Sequence, residues 1–295
     1  MMHDIVYVMG TGRSGTTILD VLLSNNAGHV GCGEITHLFG SSVIEDDCAC
    51  GISVANCSVW ASVLREFSSS EREKVDTLLR AVEAHSAFFL VIMGLFPSVK
   101  LTEYNRVNEK VYGTLFHQGF KVVVDSSKYA ARALLLAVRY KKRVKVICLT
   151  RSPEGLLNAF AKRDTEQPPK SVLGTMLYYV YTMICFAIVR WKLQGQVVMI
   201  RYEDMIADPV STLNKVEDKL GLNLESSLQC LMDGQPLDTG HIAVGNRLRR
   251  QDKVYFRQGC KHEQVKGLAV PASIFMRGIG KILGFNPYRF TGRDL

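Results

Sequence analysis

The segment "DIVYVMGTGRSGTTILDVLLSNN", residues 4–26, constrains the fold more than any other. Asp4 to Met9 reads as an apolar strand, and the following turn carries Gly10, Gly12 and Gly15. Beyond it, Ile18, Leu19, Leu22 and Leu23 share one helical face. A strand, a glycine-bearing turn and a helix start gather backbone N–H groups and the positive end of a helix dipole around an anion. From Gly10 the spacing is that of a phosphate-cradling loop, with Thr17 as the expected hydroxyl. The position before it, lysine in nucleoside-triphosphate loops, is Thr16, and a cation stands upstream at Arg13. The pattern reads as a phosphate or sulfate binder with its charge moved; the bland alternative is a turn that needs glycine for backbone reasons.

Further strand-then-helix units follow. "FKVVVD" (Phe120 to Asp125), "RVKVICLT" (Arg143 to Thr150) and "QVVMI" (Gln196 to Ile200) each precede a helical pattern. Ser152 with Pro153, and Asp208 with Pro209, read as N-cap and first-turn residues. Continuous Val/Ile runs between helices predict an α/β fold of three layers, with a central parallel sheet covered on both faces. Residues 1–295 are expected to form a single domain with a mostly helical insertion at about 33–118 over the sheet's C-terminal edge. The insertion should hold two helices, the first opened by a capping box of Ser70 and Glu73. From about 235 to 295 the chain becomes loop-rich and basic, with a short helix around "ASIFMRGIGKIL".

The balance of 36 Lys+Arg against 28 Asp+Glu leaves +8, which suits an anionic ligand without choosing one. "RLRRQDKVYFR" (Arg247 to Arg257) is too short to support nucleic-acid binding, and none is expected. "MMHD" leads directly into the short apolar run "IVYVM", so a cytoplasmic protein with reduced thiols is expected. The uncharged stretch Ser171 to Val189 has the length of a membrane span. Its tyrosines and threonines, and its place between strand and helix signals, favour a buried core helix. The basic, apolar "IFMRGIGKILGFNPYRF" leaves peripheral membrane contact open, beside a terminal packing helix.

Ordered motifs across residues 4 to 250 resemble sulfotransferases that use 3′-phosphoadenosine 5′-phosphosulfate, particularly the prokaryotic and tyrosylprotein branches. The motifs are "RSGTT"; Cys32-Gly33-Glu34; "VVVDSSK" ending at Lys128; "LTRSP" with Arg151; "RYEDMIADP" followed by "KLGL"; and His241, Gly245, Asn246 and Arg249 in "HIAVGNRLRR". The resemblance implies a P-loop-like fold, a nucleotide sulfate donor, a hydroxyl-bearing acceptor and no metal requirement. The acceptor would be a glycan, a glycolipid or another small molecule. It implies Glu34 as base, with His37 in reserve, and Lys128 and Arg13 stabilising the leaving phosphosulfate. Gly12, Arg13, Ser14, Gly15, Thr16 and Thr17 would hold the 5′-phosphosulfate; Arg151 and Arg249 would hold the 3′-phosphate, and Gly245 and Asn246 would also bind the donor. The family's usual serine near that arginine is replaced by Ala159, so Asn158 or the "NRLRR" segment would substitute. A moved cation fits this donor, since a sulfonate carries one charge where a triphosphate needs lysine and Mg²⁺. Glu203 and Asp204 are expected to be structural.

Cys48, Cys50 and Cys57 admit a zinc site completed by Cys32 or His37, a disulfide, or plain thiols packing a loop. Plain thiols are the first expectation. The rival functions are a P-loop kinase using Asp125 for Mg²⁺, a peptide-tyrosine sulfotransferase, and a non-catalytic nucleotide-sensing module.

Overall fold

The computed structural model describes residues 3–162, 169–251, 253–256, 259 and 263–285. Five parallel strands form the main sheet: β1 (Asp4–Gly10), β2 (His29–Gly31), β3 (Val122–Lys128), β4 (Val144–Thr150) and β5 (Val197–Arg201), in the order β2-β3-β1-β4-β5. Alternation along the central strand explains the layers. Val6 and Val8 pack with Leu19 and Leu22 of helix Thr16–Ser24 and with Leu213 and Val216 of helix Pro209–Leu220. Ile5, Tyr7 and Met9 point the other way, into a larger core with Ala133 and Leu136 of helix Ala130–Tyr140. A strand covered on both sides has no solvent face to mark with polar residues, which is why it reads as an unbroken apolar run.

Ser152 and Asp208 cap their helices as expected, accepting from the N–H groups of Gly155 and Ser211. Several details differ from the sequence reading. β2 was not foreseen; three residues are too few to show a period. The capping box is Ser68 with Glu71, because the extended backbone at Ser68 places its hydroxyl on the Glu71 N–H while the Glu71 carboxylate returns to the Ser68 N–H. The insertion holds more than the two expected helices: the first is split into Ser69–Glu83 and Ala87–Ile92, Ser98–His117 follows, and short helices Ser41–Glu45 and Trp60–Arg65 precede them.

The insertion is tied to the sheet by a buried polar knot. Arg132, on helix Ala130–Tyr140, donates Nε to Asp125 Oδ2 at 2.6 Å, Nη1 to Glu83 Oε1 at 2.6 Å and Nη2 to the Tyr112 hydroxyl at 2.9 Å. The Tyr104 hydroxyl and the Thr36 hydroxyl also donate to Glu83. Burial pushes the Glu83 carboxyl above the usual carboxylate range. Arg132, Asp125, Tyr104 and Tyr112 are each 0% exposed, so every polar atom here depends on protein partners.

Helix Val172–Lys192 is long and apolar enough to cross a membrane by length and composition. Its Tyr179, Met183, Phe186 and Val189 are buried against the core, whereas Leu173, Leu177 and Trp191 are exposed. The core-helix expectation therefore describes one face of it. The terminal helix runs from Ala269 to Ile282 and packs on this one; residues 286–295, the end of the basic segment, lie outside the described residues.

Candidate functional site

The chain leaves β1 towards β2 and leaves β4 towards β5, so the loops after these neighbouring strands diverge and open a crevice at their carboxyl ends. Gly10 to Gly15 line it. Arg13 (φ 62°) and Gly15 (φ 89°) are left-handed, which curls the loop back on itself. The N-cap of helix Thr16–Ser24 is Gly15, so no side chain caps its first-turn N–H groups. A Cβ on Gly15 would lie 2.6 Å from the Tyr202 ring, which supports the loop from beneath. The Ser14 hydroxyl turns inward, donating to the Thr11 carbonyl at 2.7 Å, and Ser14 is 0% exposed. Its role is to shape the loop. Thr16 is buried beside Gly10, while Thr17 Oγ1 accepts from the Asn246 N–H at 3.3 Å. Asn246 and Gly245 thus close over the helix start by backbone; the Asn246 side chain instead accepts from the Leu248 N–H.

Glu34 and Lys128 meet at the neighbouring strand ends. Pairing of β1 with β3 slips between Tyr7 and Met9, so that Lys128 stands opposite Met9, and Lys128 itself is left-handed at φ 77°. This bulge aims its ammonium at Glu34, Nζ to Oε1 at 2.5 Å. Both side chains are 17% exposed. His37 Nε2 lies 3.9 Å from the other Glu34 oxygen, and burial lowers the His37 pKa. The two segments are fixed by Asp20, a buried acid on the inner face of helix Thr16–Ser24. It accepts from the Gly33 N–H at 3.0 Å and the Ser126 hydroxyl at 2.6 Å; burial pushes its carboxyl up to about 7. The Glu34 N–H donates to the Val244 carbonyl at 3.0 Å. These residues open onto a cavity of about 320 Å³ whose aromatic wall is Tyr129, Phe160, Tyr178 and Tyr181. Lys170 also lines it, and the Tyr178 hydroxyl accepts from the Gly12 N–H at 3.0 Å.

A second cationic corner lies beyond the loop. Arg151 stacks on Tyr202, 4.5 Å from the ring centroid, and donates to the Arg13 carbonyl at 2.7 Å. Its other terminal nitrogen reaches Glu263 at 2.5 Å, and its Nε is buried without a hydrogen-bond partner among the described residues. Asn158 donates to the second Glu263 oxygen at 3.1 Å. Two candidate ligands of one anion thus converge on one carboxylate.

A sequence model of the sulfotransferase family matches residues 5–226. The chain belongs to the sulfotransferase family. Among solved structures, the sulfotransferase domain from the curacin biosynthetic pathway is 16% identical, with 97% of this chain and 99% of that one covered at a TM-score of 0.55. The sulfotransferase domain of the Synechococcus PCC 7002 olefin synthase is 14% identical, with coverage of 94% and 95% and a TM-score of 0.49. No curated protein sequence matches the chain. The first of these likenesses shows a shared fold; identities this low carry over no substrate.

As a sulfotransferase, the chain is a transferase that needs a sulfate donor and a hydroxyl acceptor. Of its expected site residues, Glu34 and Lys128 are in contact, and Gly12, Arg13, Gly15, Thr16, Thr17, Gly245 and Asn246 lie along one loop and its cover. Arg151 and Asn158 share the second corner. Arg249 is engaged elsewhere. It is 6% exposed and its guanidinium donates to the Asp47 carbonyl and the Asp46 carboxylate, so it pins the cysteine-bearing loop. His241 likewise turns to Cys57, Nδ1 to Sγ at 3.3 Å. Glu203 accepts from the Ser152 N–H at 2.8 Å, a structural bond. Asp125 is fully engaged: Ser127 donates N–H and hydroxyl to one oxygen, and Tyr112 and Arg132 donate to the other.

Sequence reasoning missed Asp20, Tyr178, Lys170 and Glu263. Asp20 left a signal, a lone acid between Leu19 and Val21 in an apolar helix face. The others are brought in by tertiary packing alone.

Proposed function

We propose that this sulfotransferase moves the sulfuryl group of 3′-phosphoadenosine 5′-phosphosulfate to the hydroxyl of a small acceptor, or of a glycan or glycolipid end group, seated in the aromatic-walled cavity. The observation that carries this reading is the Glu34–Lys128 pair at 2.5 Å on the rim of that cavity, beside Gly10 and Gly12. Glu34 takes the proton of the acceptor hydroxyl as its oxygen bonds to sulfur. The bond from sulfur to the bridging oxygen breaks, and its electron pair stays on the 5′-phosphate. Lys128, already poised at the left-handed strand end, shifts from Glu34 towards that oxygen as charge develops there. Arg13 and the first-turn N–H groups of helix Thr16–Ser24 hold the phosphosulfate. Arg151 and Asn158 hold the 3′-phosphate. A kinase reading is disfavoured, because Asp125 has both oxygens engaged by protein donors.

Calorimetry tests the donor. The spent nucleotide, 3′-phosphoadenosine 5′-phosphate, is expected to bind without Mg²⁺ and more tightly than ATP with Mg²⁺; the reverse order would overturn the reading. Glu263 supplies a sharper check. Its carboxylate occupies the position proposed for the 3′-phosphate, so the nucleotide must displace it. Glu263→Gln removes a partly exposed ion pair worth up to about 1 kcal/mol. The variant should therefore bind the spent nucleotide about two- to fivefold more tightly. Unchanged or weaker binding would place the 3′-phosphate elsewhere.

A further inference from the structure

We propose that Cys48, Cys50, Cys57 and His241 form a closed structural zinc site that fastens the insertion to the loop covering the donor cradle. The four ligand atoms lie within 4.8 Å of one another. Cys50 Sγ and Cys57 Sγ are 3.7 Å apart, and Cys57 Sγ is 3.3 Å from His241 Nδ1. A tetrahedral zinc with bonds of about 2.3 Å to sulfur and about 2.0–2.1 Å to nitrogen sets its ligands apart by roughly 3.8 Å (sulfur–sulfur) and roughly 3.5 Å (sulfur–nitrogen). The Cys50–Cys57 and Cys57–His241 edges are close to these spacings. They are far longer than a sulfur–sulfur bond of about 2.05 Å. Thiols that merely fill a core have no reason to converge on an imidazole nitrogen.

The backbone is built for such presentation. Asp47 bridges Ser53 in antiparallel fashion, the Cys48 N–H donates to the Ile52 carbonyl at 2.9 Å, and the Gly51 N–H returns to the Cys48 carbonyl at 2.9 Å. Gly51 takes φ 78°, which closes this turn and sets Cys48 and Cys50 on one side of it. The Cys57 N–H bonds the Ser53 carbonyl at 2.8 Å, bringing the third sulfur back over the turn. His241 is oriented from behind: Trp60 Nε1 donates to its carbonyl at 2.6 Å, and the Ala49 N–H donates to the Ile242 carbonyl at 3.1 Å. Four protein ligands leave no open position, so the ion is structural rather than catalytic. On binding, the thiols release three protons, and three thiolates with a neutral imidazole surround the dication. The ligand set joins His241 to the segment that reaches Glu34 through Val244 and Thr17 through Asn246.

The site stands independently of the donor and acceptor assignments, and its test reads metal rather than turnover. Full-length protein, produced with a tag that binds no metal and purified without chelator, is expected to carry about one zinc per chain by elemental mass spectrometry. Cobalt exchanged into the wild-type protein should give the strong visible bands of tetrahedral cobalt with thiolate charge transfer. Cys50→Ser should lower bound zinc to below about one-tenth per chain, and His241→Gln should shift the cobalt bands. The cobalt spectrum of the wild-type chain keeps the test valid if either variant folds poorly. Reduced protein that takes up no stoichiometric zinc, a weak octahedral cobalt spectrum, or a Cys50–Cys57 disulfide in peptide mass mapping would each overturn the proposal.

Discussion

Glu34→Gln is expected to reduce turnover by roughly 10²–10⁴-fold, the usual worth of a positioned general base. Affinity for 3′-phosphoadenosine 5′-phosphate should stay close to that of the wild type, because the carboxylate faces the acceptor cavity and Lys128 rather than the Arg151 corner. The measurement pairs a labelled-donor assay on an acceptor panel with calorimetry on the spent nucleotide. His37→Gln is the control. Burial holds the His37 ring below its ordinary pKa, so it is neutral and able to accept a proton at neutral pH. A loss in His37→Gln that exceeds the loss in Glu34→Gln would move the base to the histidine. Undiminished turnover in Glu34→Gln would remove the carboxylate from the chemistry.

Arg132→Met should destabilise the folded chain by about 3–5 kcal/mol. The guanidinium is 0% exposed and bridges Asp125 to Glu83, each at 2.6 Å. Without it two buried carboxylates face one another with only hydroxyl and N–H donors for relief. Urea unfolding, read as the shift in midpoint at constant slope, checks the value. Adding Glu83→Gln should recover part of the loss by removing one of the two charges, a non-additivity that a cavity alone would not produce. A shift smaller than about 1 kcal/mol would mean that the knot is not a continuous buried network. Activity should fall with stability, because the Thr36 hydroxyl bonds Glu83 and the Thr36 N–H bonds the Ser127 hydroxyl, close to both Glu34 and Lys128.

Local patterns carried the fold where burial leaves a period. β1, β3 and β4 are covered on both faces, and their apolar runs mark them; Ser152-Pro153 and Asp208-Pro209 mark helix starts because capping is a contact over three residues. His29–Gly31 joins the sheet through pairing with Val122 to Val124, and nothing within three residues announces that. The site divides the same way. Glu34 and Lys128 stand in short motifs, yet the bulge that joins them is a register shift visible only once β1 and β3 pair. Asn246 and His241 sit in one short motif and go to different places: the first covers Thr17, the second faces Cys57. Glu263 meets Arg151 across a separation of 112 residues, beyond the reach of any local pattern. Asn158, by contrast, could be picked out from the missing serine at Ala159, and it shares Glu263 with Arg151.

The bridge between Gly33 and Val244 has a bearing on how the molecule comes to life on the ribosome. A Cβ on Gly33 would fall 1.9 Å from the Val244 carbonyl, and the Glu34 amide is held by that same oxygen. Gly33 therefore waits for Val244, a residue translated much later, before it can be fixed in place. With Glu34 as the proposed base, a nascent chain is expected to show no turnover until synthesis has passed that point.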